Sequence, residues 1–337
     1  MDHTLSKFED RIRKEKENGE KENRYSKYCD FIYYKSSVNP ELTLAMRVLK
    51  PEKPSYIVAT THGWHMSISD FQEYDKPASD YLLVEVDMRG RAFSDGTPDC
   101  SGWELYDVID AVEYVKENYK EYLLSTSIVY FEAGSGGGGN AYAIAGKFPD
   151  YFAAIVSMCG MSDYLLWHKN DAVGEFRDEL DVWVGSSENE QAYHSRSGMT
   201  MVENLCAPMA IIHGMNDIRV PVYHARHYVE KAKKCNKEEL IQYWEVPDVG
   251  GKDHWTDGTP EFFCELTQYR KAFINSHRQP VRIPPKGEMV VCGYLFTKEF
   301  AVVLDSIDHI ATVRYDLTRD HISVIGAAEG TYRIYKK

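Results

Sequence analysis

Residues 131–146, FEAGSGGGGNAYAIAG, set one serine among five glycines, between the apolar run 127–132 and a train of small residues. Two motifs overlap here. Gly134, Gly136 and Gly139 spell G-x-G-x-x-G, a phosphate cradle. Around Ser135 the same letters are one residue from G-x-S-x-G, a nucleophile elbow, with Ala133 in the place of the first glycine. Both belong at a strand-to-helix turn, because both need backbone packed closely against its neighbours. The stretch by itself does not choose.

The surrounding chain supplies the frame. DFIYY and LTLAMRVLKP read as an opening hairpin, followed by the strands YIVATTHGWH and YLLVEVDMRG and the helix GWELYDVIDAVEYVKENY. The glycine turn and its helix come next, then FAAIVSMCG. After a mixed segment, 162–204, the alternation resumes with strand APMAIIHG, helix VYHARHYVEKAKK, strand LIQYWEVP and helix PEFFCELTQYRKAFINS. Short apolar runs separated by periodic helices predict an α/β fold, a mostly parallel sheet covered on both faces. At RQPVRIPPKGE the pattern changes to strands alone, predicting a small all-β unit of about five strands. The expected organisation is a charged arm or helix over 1–24, with Ser6 and Glu9 as a capping box and Leu5, Phe8 and Ile12 on one face. An α/β domain over 25–280 and an all-β appendage over 281–337 follow.

A dinucleotide-binding reading has Asp163 in its favour, about 20 residues past the turn, where a ribose-binding acid belongs. Against it, that fingerprint normally opens the sheet, and here about four predicted strands precede it. The nucleophile reading requires an acid and then a histidine further along the chain. Asp217 follows the strand APMAIIHG, and His254 follows LIQYWEVP. Three residues of the right types, in order, each at a strand's carboxyl end, favour the elbow. A serine hydroxyl needs a neighbouring base, which His254 supplies, and Asp217 would fix the imidazole's tautomer. Oxyanion donors are expected from the backbone N–H of Gly136 and from one in THGWH, Trp64 first with its neighbour Gly63 the alternative. Asp253, beside His254, is the weaker candidate acid. Asp87, Arg89 and Arg91 are expected to tie the loop beneath the site.

Taken together, HGWH, VDMRGRAFSDG, the elbow, the segment ending in HGMNDIRVP and the loop with His254 resemble the α/β-hydrolase fold. Within it they are similar to the prolyl oligopeptidase-related hydrolases and acyl esterases. The resemblance covers roughly residues 30–275. It implies a serine hydrolase with Ser135, Asp217 and His254 as its triad and no cofactor. Peptide-cleaving relatives usually carry a large propeller ahead of the hydrolase domain. Only a few tens of residues precede this sheet, so a small-molecule or oligosaccharide acyl ester is the expected substrate. A peptidase or aminoacyl hydrolase of the same mechanism, and a silent binding protein on the scaffold, are the alternatives. The segment 162–204, with Trp167, His168, Phe176 and Trp183, reads as lid or pocket wall. His65 and Trp255 are the pocket candidates from the flanking loops.

Composition narrows the partners. In 337 residues a hydrophobic content of 43% provides a sizeable core, and a net charge of −13 argues against nucleic acid and anionic membrane. The N-terminus has no apolar signal region and no run of about 18 apolar residues occurs, so no membrane span is expected. Seven cysteines without metal-ligand spacing fit a cytoplasmic protein with no metal site. The exposed strand edges of the appendage lead to an expectation of homo-oligomerisation.

Overall fold

The computed structural model describes residues 21–171 and 176–337; the predicted capping box and apolar face of the N-terminal arm lie outside them. Among the described residues nine strands form one sheet. They are β1 (Arg24–Tyr25), β2 (Cys29–Lys35), β3 (Thr43–Leu49), β4 (Ile57–Thr61), β5 (Leu82–Asp87), β6 (Val129–Gly134), β7 (Ala154–Met158), β8 (Met209–Gly214) and β9 (Ile241–Val246). Their order is β1-β2-β3-β5-β4-β6-β7-β8-β9. The opening hairpin pairs antiparallel and joins β5 antiparallel, and every pairing from β5 to β9 is parallel.

The helices are α1 (Glu104–Asn118), α2 (Gly136–Lys147), α3 (Tyr164–Lys169), α4 (Arg177–Trp183), α5 (Glu190–His194), α6 (Tyr223–Lys234) and α7 (Pro260–Ser276). Strand periodicity sorts them. Val129 and Phe131 point to one face, where they join α1, α2 and α6 in a single apolar cluster. Tyr130, Val156 and Ile212 point to the other, against Phe262, Leu266 and Phe273 of α7. Both faces are covered, which is why strands such as MAIIHG are buried throughout. Helix α7 starts where the sequence says it should: Pro260 fills the first turn, and Thr259 Oγ1 accepts from Phe262 N at 3.2 Å. No helix among the described residues is long and apolar enough to cross a membrane.

The appendage is a separate antiparallel sheet of β10 (Lys286–Cys292), β11 (Tyr294–Phe296), β12 (Phe300–Leu304), β13 (Ile310–Asp316), β14 (His321–Ile325) and β15 (Tyr332–Lys336). Its order is β14-β13-β10-β11-β12-β15. The run MVVCGYLFT, read as one strand, is two: Gly293, at φ +70°, reverses the chain so that Cys292 pairs with Tyr294. This sheet seats on the tail of α2. Asn204 bridges the two, its amide donating to Gly146 O at 2.9 Å and Val290 O at 2.7 Å. Lys147, fully buried, donates to the carbonyls of Ser195, at 3.1 Å, and Cys292, with its ammonium over the Tyr294 ring.

Candidate active site

Ser135 sits between β6 and α2 with φ 56° and ψ −122°, a left-handed conformation that costs a non-glycine residue about 1–3 kcal/mol. Strain at this point lifts the side chain out of the sheet's edge, as an elbow requires. Position 136 must be glycine. A Cβ there would lie 2.5 Å from Trp64 N, so the THGWH turn closes directly on the start of α2. Position 137 must be small because a Cβ would lie 2.7 Å from that of Ala133, which explains why alanine serves in place of the first elbow glycine.

The three chain-distant residues meet. His254 Nε2 is 2.8 Å from Ser135 Oγ, and His254 Nδ1 is 2.6 Å from Asp217 Oδ2. Asp217 is held by its own loop, Oδ1 accepting from Arg219 N at 2.9 Å and Val220 N at 3.0 Å. With these acceptors filled, the carboxylate presents Oδ2 to the imidazole. That orientation fixes the Nδ1–H tautomer and leaves Nε2 to accept the serine proton. Asp253 does not compete: its carboxylate is 60% exposed and accepts from the backbone N–H of His254 at 2.8 Å. Cys159 Sγ lies with the Asp217 and His254 ligand atoms within 4.8 Å of one another, the one such group among the described residues with metal-ligand geometry. Both imidazole nitrogens are already engaged, and burial pushes the Cys159 thiol well up, so the cluster serves hydrogen bonding better than a metal.

The turn THGWH is clamped by its own histidine. His62 Nδ1 donates to Gly63 O at 2.9 Å, and its Nε2 accepts from Met88 N at 3.1 Å. Met66 N also donates to Gly63 O, at 3.1 Å. Fixing that carbonyl fixes the plane of the Gly63–Trp64 peptide, and with it the direction of the Trp64 N–H. Burial, with Arg91 nearby, lowers the His62 pKa to about 3, so the ring stays neutral. Beneath it, Asp87 accepts from Ile68 N at 3.1 Å and Phe93 N at 2.9 Å. Arg89 forks onto Asp107 at 2.6 and 2.8 Å. Asp87 and Arg89 therefore tie the loop as expected.

Residues 78–276, more than half of the chain, match the prolyl oligopeptidase family. The chain belongs to that family. That family is one of serine hydrolases with the α/β-hydrolase fold, the fold seen here. It is similar in structure to the acylaminoacyl peptidase of Pyrococcus horikoshii, with a TM-score of 0.62 at 18% identity over 78% of this chain and 42% of that one. It is also similar to a puromycin hydrolase (TM-score 0.59, 15% identity, 74% of this chain and 39% of that one). The Pyrococcus furiosus esterase Pf2001 gives a TM-score of 0.54 at 14% identity over 77% of this chain and 92% of that one. At such identities the likeness is one of fold. The chain thus spans about two fifths of the length of the two larger enzymes. No curated protein sequence matches it.

Within this prolyl oligopeptidase family site, a cavity of about 20 Å³ adjoins the oxyanion turn, walled by Gly63, Trp64, Gly136, Arg91, Glu104 and Trp183 among others. Of the six residues expected to form a lid or pocket wall, only Trp183 lines it. Trp167 is 1% exposed, stacks on Phe176 at 4.2 Å and donates its Nε1–H to Arg219 O. His65 stacks on Phe176 and faces Glu179 at 3.2 Å. His168 pairs with Asp181 at 2.8 Å. Trp255 packs on Phe262 in the α7 layer. The aromatics of the mixed segment are therefore mostly a core of their own around Trp64. Arg91, Glu104 and Asn140 are among the lining residues that went unread as such. Nothing in the local spelling of VDMRGRAFSDG separates Arg91 from the structural Arg89.

Proposed function

We propose that this protein hydrolyses small acyl esters through a Ser135–His254–Asp217 triad. Ser135 Oγ attacks the ester carbonyl carbon while His254 Nε2 takes the hydroxyl proton. The C–O π pair moves onto the carbonyl oxygen, which accepts from the N–H groups of Gly136 and Trp64. Collapse breaks the bond to the alcohol, which leaves with the proton from His254. Water, deprotonated by the same imidazole, then releases the acid from the acyl-serine.

The hydrogen-bonded line from Ser135 to Asp217 supports this chemistry. The space beside the oxyanion turn, about 20 Å³, has no room for a bulky side chain, which favours a small acyl portion. A peptidase or aminoacyl hydrolase reading has its own support in the similarity to an acylaminoacyl peptidase and a puromycin hydrolase. Two measurements test the proposal. A fluorophosphonate should label the native protein and not Ser135→Ala. The ratio of kcat/KM on an acylated oligosaccharide to that on a prolyl arylamide should favour the ester, and a clear preference for the arylamide would promote the peptidase.

A further inference from the structure

The cavity beside the oxyanion turn contains a cation that the triad does not use. Arg91 is 6% exposed, and its Nε and Nη1 have no hydrogen-bond partner. One face of the guanidinium is covered by Trp183, whose ring centroid lies 4.9 Å away. Arg89, two residues earlier, is the contrast, with Asp107 bidentate against it. The buried acids near Arg91, Asp87 and Glu104, feel its charge but hydrogen-bond to backbone instead. Asp87 takes the N–H groups of Ile68 and Phe93, and Glu104 takes those of Ser101 at 2.6 Å and Asp99 at 3.2 Å. His62, on the same cavity wall, is neutral.

An arginine cannot shed its charge, and buried N–H donors left without an acceptor are costly. Buried donors are almost always satisfied, so the acceptor for this one comes from whatever enters the cavity. The space, about 20 Å³, admits a group of water size, such as one oxygen at the tip of a chain.

Position says which part of a substrate that is. The cavity is walled by Gly63, Trp64 and Gly136, the backbone that would hold the oxyanion, and by no residue of the loop carrying His254. His254 must protonate the leaving group, so the alcohol lies on its side and the acyl chain on the other. We propose that Arg91 receives one carboxylate oxygen at the end of a short acyl chain, so that the enzyme prefers half-esters of short dicarboxylic acids to simple acyl esters of equal length. This rests on Ser135 being the nucleophile.

The test separates the two ideas. Methyl hemisuccinate and methyl butyrate have acyl chains of equal length and differ in the terminal carboxylate. Titrated into Ser135→Ala, which cannot turn them over, the hemisuccinate should bind about 10- to 100-fold tighter, the range of a buried charge-assisted hydrogen bond. Adding Arg91→Met should bring the two affinities together. Arg91→Lys, which keeps the charge without the fork, should retain part of the gap and serves if the methionine variant misfolds. Equal binding of the two esters, or a gap that Arg91→Met leaves intact, overturns the proposal. Turnover of both esters by the native protein is measured alongside. A binding preference without turnover would keep the Arg91 subsite and refute the hydrolase reading, whereas turnover without a preference would refute the subsite alone.

Discussion

Replacing His62 with asparagine should make the protein less stable at neutral pH and less sensitive to acid. In the native fold the Nδ1–H of His62 is spent on Gly63 O and its Nε2 lone pair on Met88 N, so an added proton would displace the Met88 contact. The ring therefore stays neutral down to a pKa of about 3, whereas in the unfolded chain it titrates near 6.5. Below pH 6.5 the unfolded state binds a proton that the folded state refuses, so stability falls as pH falls. At pH 5 that difference amounts to about 2 kcal/mol, from 1.36 kcal/mol per pH unit. His62→Asn keeps a donor for Gly63 but orphans the buried Met88 N–H, a loss of about 1–3 kcal/mol at pH 7. It removes the titration entirely. Urea midpoints at pH 7 and pH 5 should converge for the two proteins, the native losing about 2 kcal/mol more than the variant over that interval. Asp87, 3.9 Å from Nε2 and pushed by burial to about 7, works in the opposite direction, but both proteins share it. Parallel pH dependences would show that His62 carries charge in the fold and that the clamp is not built as described.

Two further outcomes follow from other contacts. Asp217→Asn should lower kcat on an aryl ester by about 10⁴ with the fold intact, because the amide presents the wrong partner to Nδ1; near-native turnover would move the acid elsewhere. Burial lowers the Lys147 pKa to about 8, so between pH 8 and 10.5 the unfolded chain holds a proton that the folded one has released, and stability should rise with pH by about 3 kcal/mol in all. Lys147→Met should lack that rise in denaturant titrations, and an unchanged rise would mean the ammonium is not desolvated.

Periodicity carried most of this fold because both faces of the parallel sheet are buried, which writes strands as apolar runs and helices as amphipathic ones. The proposed triad was legible for a related reason: Ser135, Asp217 and His254 each follow a strand that ends on the same edge of the sheet. Gly293 hid the division of one apolar run into two strands, since a single-residue reversal leaves the apolar pattern unbroken. Trp167 and Phe176 pack on each other in a core, which the sequence did not show because an aromatic that stacks on a substrate and one that stacks on a neighbour are spelled alike. Arg91 and Arg89 differ only in whether a carboxylate faces them, a matter of tertiary placement: Asp107 reaches Arg89 from a different element, α1.

Helix α2 carries Ser135 at its head, and its last residue, Lys147, points into the seam with the second sheet. The acceptors of that ammonium are backbone carbonyls, one of them contributed by Cys292 of β10, so no change of side chain in that strand deletes it. What disturbs it is a shift of the strand itself. A substitution that slides or loosens the hairpin at Gly293 thus tugs on the far end of the lever whose near end positions Ser135. Activity becomes a gauge of how well a distant, chemically silent sheet is folded, and selection on catalysis would police the register of strands that never meet a substrate.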